Sequence, residues 1–518
     1  MQRALASGRV TSVELVRQYL ARIGTYDSVL HAVLAVNPNA LADAERLDRE
    51  RARGRIRGPL HGIPIALKDN IHTTMMPTTG GALAFAGMVP PYEATLTANL
   101  RAAGAIILAK TGMTELANWV AGDPTPMPTN YNSVGGFGFN PFDPRRDPRE
   151  ATFDGRPALA TGGSSSGGGT NASFWAANVG TETSGSILNP ANANMLVGIK
   201  PTVGRVSRYG VIPITADQDT PGPMARTVTD AAIMLGAMEG RKPDPHDPAT
   251  AACAPPKGGS YTRTLRAGAL KGARIGIPRA YYERLTPAQQ ISMANAMTVL
   301  QARGAVLVDP ANIPSVVDPN PENNFNRWPS CSGADNARGK DTGCSIGLKY
   351  GMKRDFNAWL ASLGAASPIK TLTQLREWNL QHARAGTLKY GQSNLDISDE
   401  MDVDRDRVRY EADRAKDVRL AGTHGIDEVM TGQRLDALLF PGIAGAAISA
   451  RVGYPTVAVP YGRVPNAPDN PFPPGFDAQP APYGVSFAGR ACSEARLIEL
   501  AYAFERATKR RVAPPNFR

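Results

Sequence analysis

Apolar positions along the chain follow two rhythms. After Thr11-Ser12, apolar residues at Val13, Leu15, Tyr19 and Leu20 recur at helical spacing, with a capping pair in front and Glu14 in the first turn, where an acid suits the helix dipole. Elsewhere they come as short unbroken runs, Ile63 to Leu67, Ala105 to Ala109 and Ala437 to Phe440, the last ending on Pro441-Gly442. Such runs read as buried strands. Alternation of the two predicts an α/β fold with helices on both faces of a sheet.

The rhythm stops between about Gly122 and Ala160, where Pro, Gly, Asn and Asp dominate, so a long loop of the kind that borders active sites is expected there. From Asp402 to Leu420 charges alternate in sign around Val403, Val408, Tyr410 and Val418, the pattern of a solvated helix without a catalytic role. A composition shift near Pro243 to Gly259 implies that residues from about 260 to 430 cover the core as an insertion. The core itself is then about 50–240 and 430–510 of one domain spanning 1–518. No repeat occurs at solenoid or propeller periods.

Composition narrows the classes. With 42% hydrophobic and 20% charged residues the 518-residue chain is globular, and glycine (52) with proline (43) implies many shaped loops. The net charge of +11 is scattered, apart from Lys509-Arg510-Arg511, with no aromatic-interleaved stripe, so it reads as solubility and not as a nucleic-acid surface. No apolar run reaches membrane-spanning length. No secretory signal opens the chain, which fits a cytoplasmic protein, or a secreted or periplasmic one whose signal has been removed. Cys253, Cys331, Cys344 and Cys492 show no zinc-ligand spacing, and no metal is expected. Cys331 and Cys344 bracket a polar loop, Ser332 to Gly343, which a disulfide could close in an oxidising compartment.

The strangest composition is Gly162-Gly163-Ser164-Ser165-Ser166-Gly167-Gly168-Gly169. A flexible linker is one reading. A phosphate loop is another, but the Lys-Ser/Thr that closes one is missing. Gly163-x-Ser165-x-Gly167 also fits a nucleophile elbow, although Phe153 to Pro157 makes a poor strand before it. Downstream, a second small-residue turn from Gly180 to Ser186 follows a helix-length segment, Thr170 to Asn178, so two hydroxyls could face each other. A hydroxyl nucleophile needs a base, and no histidine has a telling position. A buried lysine can serve, because desolvation lowers its pKa from about 10.4. Lys68, directly after the run Ile63 to Leu67, fits that need.

These residues together resemble the amidase signature family. The likeness rests on Gly62-Ile-Pro-Ile-Ala-Leu-Lys68-Asp-Asn, the Gly162 serine loop, Gly180-Thr-Glu-Thr-Ser-Gly-Ser186, Lys200-Pro-Thr-Val-Gly-Arg and Asp219-Thr-Pro-Gly-Pro-Met224, and it is strongest over about 60–230. Weaker similarity lies at Leu108 to Leu116, Phe356 to Leu360 and Tyr454 to Pro460. The resemblance implies one large α/β/α domain around a mixed, mostly parallel sheet flanked by helices. It implies a Ser-cisSer-Lys triad with Ser186 as nucleophile, Ser164 as the bridging serine after a cis peptide bond, and Lys68 as base. It gives the oxyanion hole to the backbone N–H groups of Thr183, Ser184, Gly185 and Ser186. The implied activity is hydrolysis of a carboxylic or peptide amide through an acyl-enzyme, without cofactor or metal. The implied partner is a small-molecule or peptide amide, with no nucleic acid and no membrane span, in a monomer or homodimer.

Two departures matter. Ser164 to Ser186 is 22 positions, two fewer than the family's usual spacing, which leaves Ser165 as an alternative bridging serine. Leu188 stands where many members carry arginine; the peptide-amidase branch also lacks it, and the Gly122 to Ala160 loop resembles that branch too. Other readings are the glutaminase subunit of a tRNA-dependent amidotransferase, an esterase using the same triad, a basic binding protein with a dead amidase fold, and an elbow-type esterase that would depend on a histidine such as His382. Met113 and Trp119, with Phe142, lie in or near the loop expected to wall the substrate pocket.

Overall fold

The computed structural model describes residues 1–152, 154–240, 242–333 and 343–517. Thirteen strands are present among the described residues: β1 Val33–Val36, β2 Pro64–Lys68, β3 Ile106–Thr111, β4 Tyr131–Asn132, β5 Gly136–Phe137, β6 Ala177–Glu182, β7 Val197–Lys200, β8 Thr220–Ala225, β9 Arg274–Gly276, β10 Val306–Val308, β11 Ala437–Pro441, β12 Thr456–Val464 and β13 Ala481–Ala488. Eleven form one sheet in the order β1-β3-β2-β6-β8-β7-β12-β13-β11-β9-β10, and β4 and β5 make a separate hairpin. The α/β class and the mixed sheet flanked by helices are as expected. Parallel pairing is confined to two wings, β3-β2-β6 and β11-β9-β10. The centre from β6 to β11, and the β1 edge, are antiparallel.

The expected strands are present as β2, β3 and β11, buried along their whole length, which explains their unbroken apolar runs; β6 is equally buried without such a run. Helix Ser12–Leu30 carries the expected capping box between Thr11 and Glu14. Because β2 and β6 run parallel, their C-terminal ends, Lys68 and Glu182, emerge at one edge of the sheet. Ligands of α/β sheets gather at such an edge.

Three expectations need correction. The segment from 260 to 430 is more than a cover, since β9 and β10 extend the sheet and helices follow. The stretch Thr170 to Asn178 is not one helix; a single turn, Gly168–Asn171, breaks at Ser173 with φ of 60° and runs into β6. Trp175 folds back there, its Nε1–H donating to Thr170 Oγ1 at 2.7 Å, and a Cβ on Gly169 would sit 2.2 Å from the indole. A compact fold-back, not a helix, links the two serine turns. Helix Arg407–Val418 is not solvated all round, because Asp413 and Asp417 are buried. Asp417 accepts from Trp328 and Ser345 at 2.8 Å and pairs with Arg451 at 2.6 Å.

All four cysteines are paired, Cys331 with Cys344 and Cys253 with Cys492. Most of the loop inside the first pair, and Phe153 of the weak strand candidate, lie outside the described residues. No helix among the described residues is long and apolar enough to cross a membrane.

Candidate active site

Lys68 ends β2 fully buried. Its Nζ lies 2.8 Å from Ser164 Oγ, 2.9 Å from Thr181 Oγ1 and 3.1 Å from Thr181 O. Asn70 Nδ2 donates to the same threonine hydroxyl at 3.0 Å. Burial lowers the Lys68 pKa to about 7, against the opposing charges of Asp219 and Glu182. A neutral amine has two hydrogens and one lone pair. The two Thr181 oxygens can take the hydrogens, which leaves the lone pair for the Ser164 hydroxyl.

The serine loop separates its members by role. The Gly163–Ser164 peptide is cis and Ser164 meets Lys68. The Ser165 hydroxyl is bound to β6, donating to Thr181 O at 3.1 Å and accepting from Thr181 N–H at 3.2 Å. Ser165 N–H donates to Ser186 O at 3.1 Å, which ties the second turn to the first. The structure therefore joins Lys68 to Ser164 and sets Ser186 beside the same loop. The Ser186 hydroxyl makes no hydrogen bond to a described side chain, and its residue is 7% exposed.

From Thr183 to Ser186 the chain leaves β6 in an open turn, with Gly185 at φ of 86° and Ser184 exposed at the surface. None of these four backbone N–H groups donates to an acceptor among the described residues. The turn's other groups are held: Thr183 Oγ1 donates to Asp219 at 2.5 Å, and Gln218 Nε2 to Thr183 O at 3.1 Å. Asp219 also accepts from the amides of Ile214 and Thr215 at 2.8 and 3.0 Å, while burial raises its pKa to about 7. A narrow cavity beside the turn is lined by Asn70, Thr183, Val211, Ile212, Ile214 and Asp219 among others.

Met113 is fully buried, and its backbone bridges to Ser165. Trp119 packs in a core cluster and its Nε1–H donates to Ser398 at 2.9 Å. Phe142 packs with Leu159 and Met195. None of the three lines the cavity beside Thr183. His382 stacks on Trp378 and pairs with its carbonyl, and the Ser165 hydroxyl is bound to the backbone of Thr181. Sequence reasoning gave no role to Thr181, Asn70, Gln218, Asp219 or Glu182. Carboxylates inside small-residue motifs were the available signal for the last two.

A protein of this fold, with a buried lysine against a serine loop beside a turn of free amides, falls among the hydrolases that act on C–N amide bonds. The family model described as Amidase matches residues 14–498, and the chain belongs to that family. A "Probable amidase" of Arabidopsis thaliana is 34% identical, over 98% of this chain and 89% of its own length. The native peptide amidase from Stenotrophomonas maltophilia is similar in structure, with a TM-score of 0.83 at 35% identity, covering 99% of this chain and 97% of that one. An amidase family protein from Bacillus anthracis gives 0.82 at 30%, covering 99% and 91%. A glutamyl-tRNA(Gln) amidotransferase subunit of Synechococcus is 31% identical over 97% of this chain and 95% of its own.

Proposed function

We propose that the protein hydrolyses a carboxylic or peptide amide to an acid and ammonia or an amine through Ser186, Ser164 and Lys68. The observation that carries this reading is the fully buried Lys68 Nζ at 2.8 Å from Ser164 Oγ, the bridging serine. Neutral Lys68 takes the Ser164 proton as Ser164 takes that of Ser186, and Ser186 Oγ bonds to the carbonyl carbon. The carbonyl electron pair moves onto oxygen, where the amides of Thr183 to Ser186 receive it. On collapse the C–N bond breaks, and the proton returns through Ser164 to the leaving nitrogen. Water then repeats the sequence on the acyl-enzyme and releases the acid. No step calls for a metal or cofactor.

The likeness to peptide amidase at a TM-score of 0.83 supports a peptide amide as substrate. The reading as an amidotransferase glutaminase is favoured by the Synechococcus relative, and it predicts turnover of glutamine with ammonia passed to a partner. Intact-mass labelling with a fluorophosphonate, followed by peptide mapping, tests the assignment. The expected adduct is on Ser186 and is absent in Lys68→Ala. An adduct on Ser165, or none on wild type, would overturn it.

A further inference from the structure

The turn that carries Ser186 is gripped from behind by a carboxylate that has no part in the steps above. Glu182 ends β6 at 1% exposure, and its Oε2 accepts from Ile187 N–H at 2.7 Å and Leu188 N–H at 3.0 Å. These are the two amides directly after the four free ones. Asn189 N–H donates to Gly185 O at 2.7 Å, and Ser165 N–H to Ser186 O. Thr183, on the near side, is held by Asp219 and Gln218. Each neighbour of the four amides thus has a partner, and the four have none among the described residues.

We propose that Glu182 is a positioning residue for the oxyanion turn: by occupying the Ile187 and Leu188 amides it fixes the turn so that the amides of Thr183 to Ser186 stay aimed at the cleft. The proposal rests on the reading of Ser186 as nucleophile. A carboxylate suits the task, because a charged acceptor of two N–H bonds holds them more firmly than a neutral one. It also serves the base. Glu182 and Asp219 are the anions that favour the charged form of Lys68, and Glu182 acts likewise on the buried Lys200. A residue that merely capped the six-residue helix Leu188–Ala193 would have no such selective effect on the reacting oxygen.

The test uses a peptide aldehyde built on an amide that the wild type hydrolyses, and the matching alcohol. Ser186 Oγ adds to the aldehyde carbon, its proton passes to the Ser164–Lys68 pair, and the C=O electron pair moves to an oxygen in the turn; the alcohol cannot react. Glu182→Ala is expected to weaken the aldehyde about 10–100-fold, less than the roughly 100–1000-fold for outright loss of an oxyanion donor, while alcohol affinity and KM hold and kcat falls with the aldehyde. Glu182→Gln keeps an acceptor and should recover most of that affinity. It also removes a charge that favours protonated Lys68, so the acid limb of kcat/KM moves to lower pH. An equal fall for aldehyde and alcohol, or unchanged aldehyde affinity in Glu182→Ala, overturns the proposal. Should the alanine variant not fold, the same comparison is made in Glu182→Gln, where an equal fall for aldehyde and alcohol overturns the proposal. Failure of wild type to bind the aldehyde would instead remove the Ser186 reading itself, and the proposal with it.

Discussion

Two buried lysines stand on neighbouring parallel strands and have opposite fates. Lys68 on β2 and Lys110 on β3 are both fully buried, and the register pairs Lys110 with Leu67, so the two side chains leave opposite faces of the sheet. Each holds a threonine hydroxyl, Thr181 at 2.9 Å for Lys68 and Thr78 at 2.8 Å for Lys110. The difference is an anion. Asp69 lies 3.3 Å from Lys110, whereas Lys68 touches only hydroxyls and a carbonyl. Burial pushes both pKa values down, but only Lys110 has a carboxylate at contact to oppose it. Desolvation alone therefore does not make a base. On the proposed reading of Lys68 as base, its anions, Asp219 and Glu182, act on it without contact.

The strongest way to break the comparison is to remove each amine. Lys68→Met should lose at least about a thousandfold in turnover, the scale seen when one member of a catalytic unit is deleted. Lys110→Met should keep the chemistry in whatever fraction stays folded. Stability should move the other way. Lys110→Met leaves Asp69 buried with only Thr79 and Gly81 as partners, a loss of about 3–5 kcal/mol. Lys68→Met should raise Tm at neutral pH. The unfolded Lys68 binds a proton up to about pH 10.4, while the folded one releases it near 7, so wild-type stability rises with pH across that window and the gain from methionine shrinks toward its upper end. Calorimetry at pH 7 and pH 9.5 checks both signs; a lower Tm for Lys68→Met at pH 7 would contradict the assignment of a depressed pKa.

A smaller effect is the pH profile. The base must be neutral, so kcat/KM should climb tenfold per pH unit below the Lys68 pKa and level off above about 7. Asp219, with a pKa raised to about 7, titrates in the same range, so the limb belongs to the pair. A flat profile from pH 5 to 9 would remove Lys68 as the base.

Much of this was legible in the chain, and the gaps have physical causes. The run Ile63 to Leu67 announced a buried strand, and Lys68 at its end stood out only together with the two serine turns. The serine loop and the Gly180 turn stood out because small residues are needed where backbones approach closely, as at Gly162, whose Cβ would meet Asn189 and Pro190 backbone at 2.7 Å. By contrast β9 and β10 have three residues each, too few to carry a period, and Arg274 begins one of them. Cys253 and Cys492 are 239 positions apart and leave no local trace of their pairing. The burial of Asp417 depends on Arg451 and Trp328, and that of Asp219 on Thr183 and two amides. Partners of that kind are set by the fold and not by neighbours in sequence.

The finest division between the two lysines lies in their threonines. Thr181→Val removes one of the two oxygens that take Lys68's hydrogens and also leaves Asn70 Nδ2 with only Ile212 O at 3.4 Å. A neutral hydrogen bond contributes about 1 kcal/mol, so kcat should fall about fivefold while KM holds, because the amine is less well oriented toward Ser164. Thr78→Val removes the equivalent oxygen from Lys110 and should lower Tm with turnover unchanged, since Asp69 and two carbonyls still hold that ammonium. Steady-state kinetics and thermal denaturation on both variants separate the cases. Equal kinetic losses in the two would mean that the site senses the sheet as a whole, and the contrast between a lysine kept for chemistry and one kept for structure would fail.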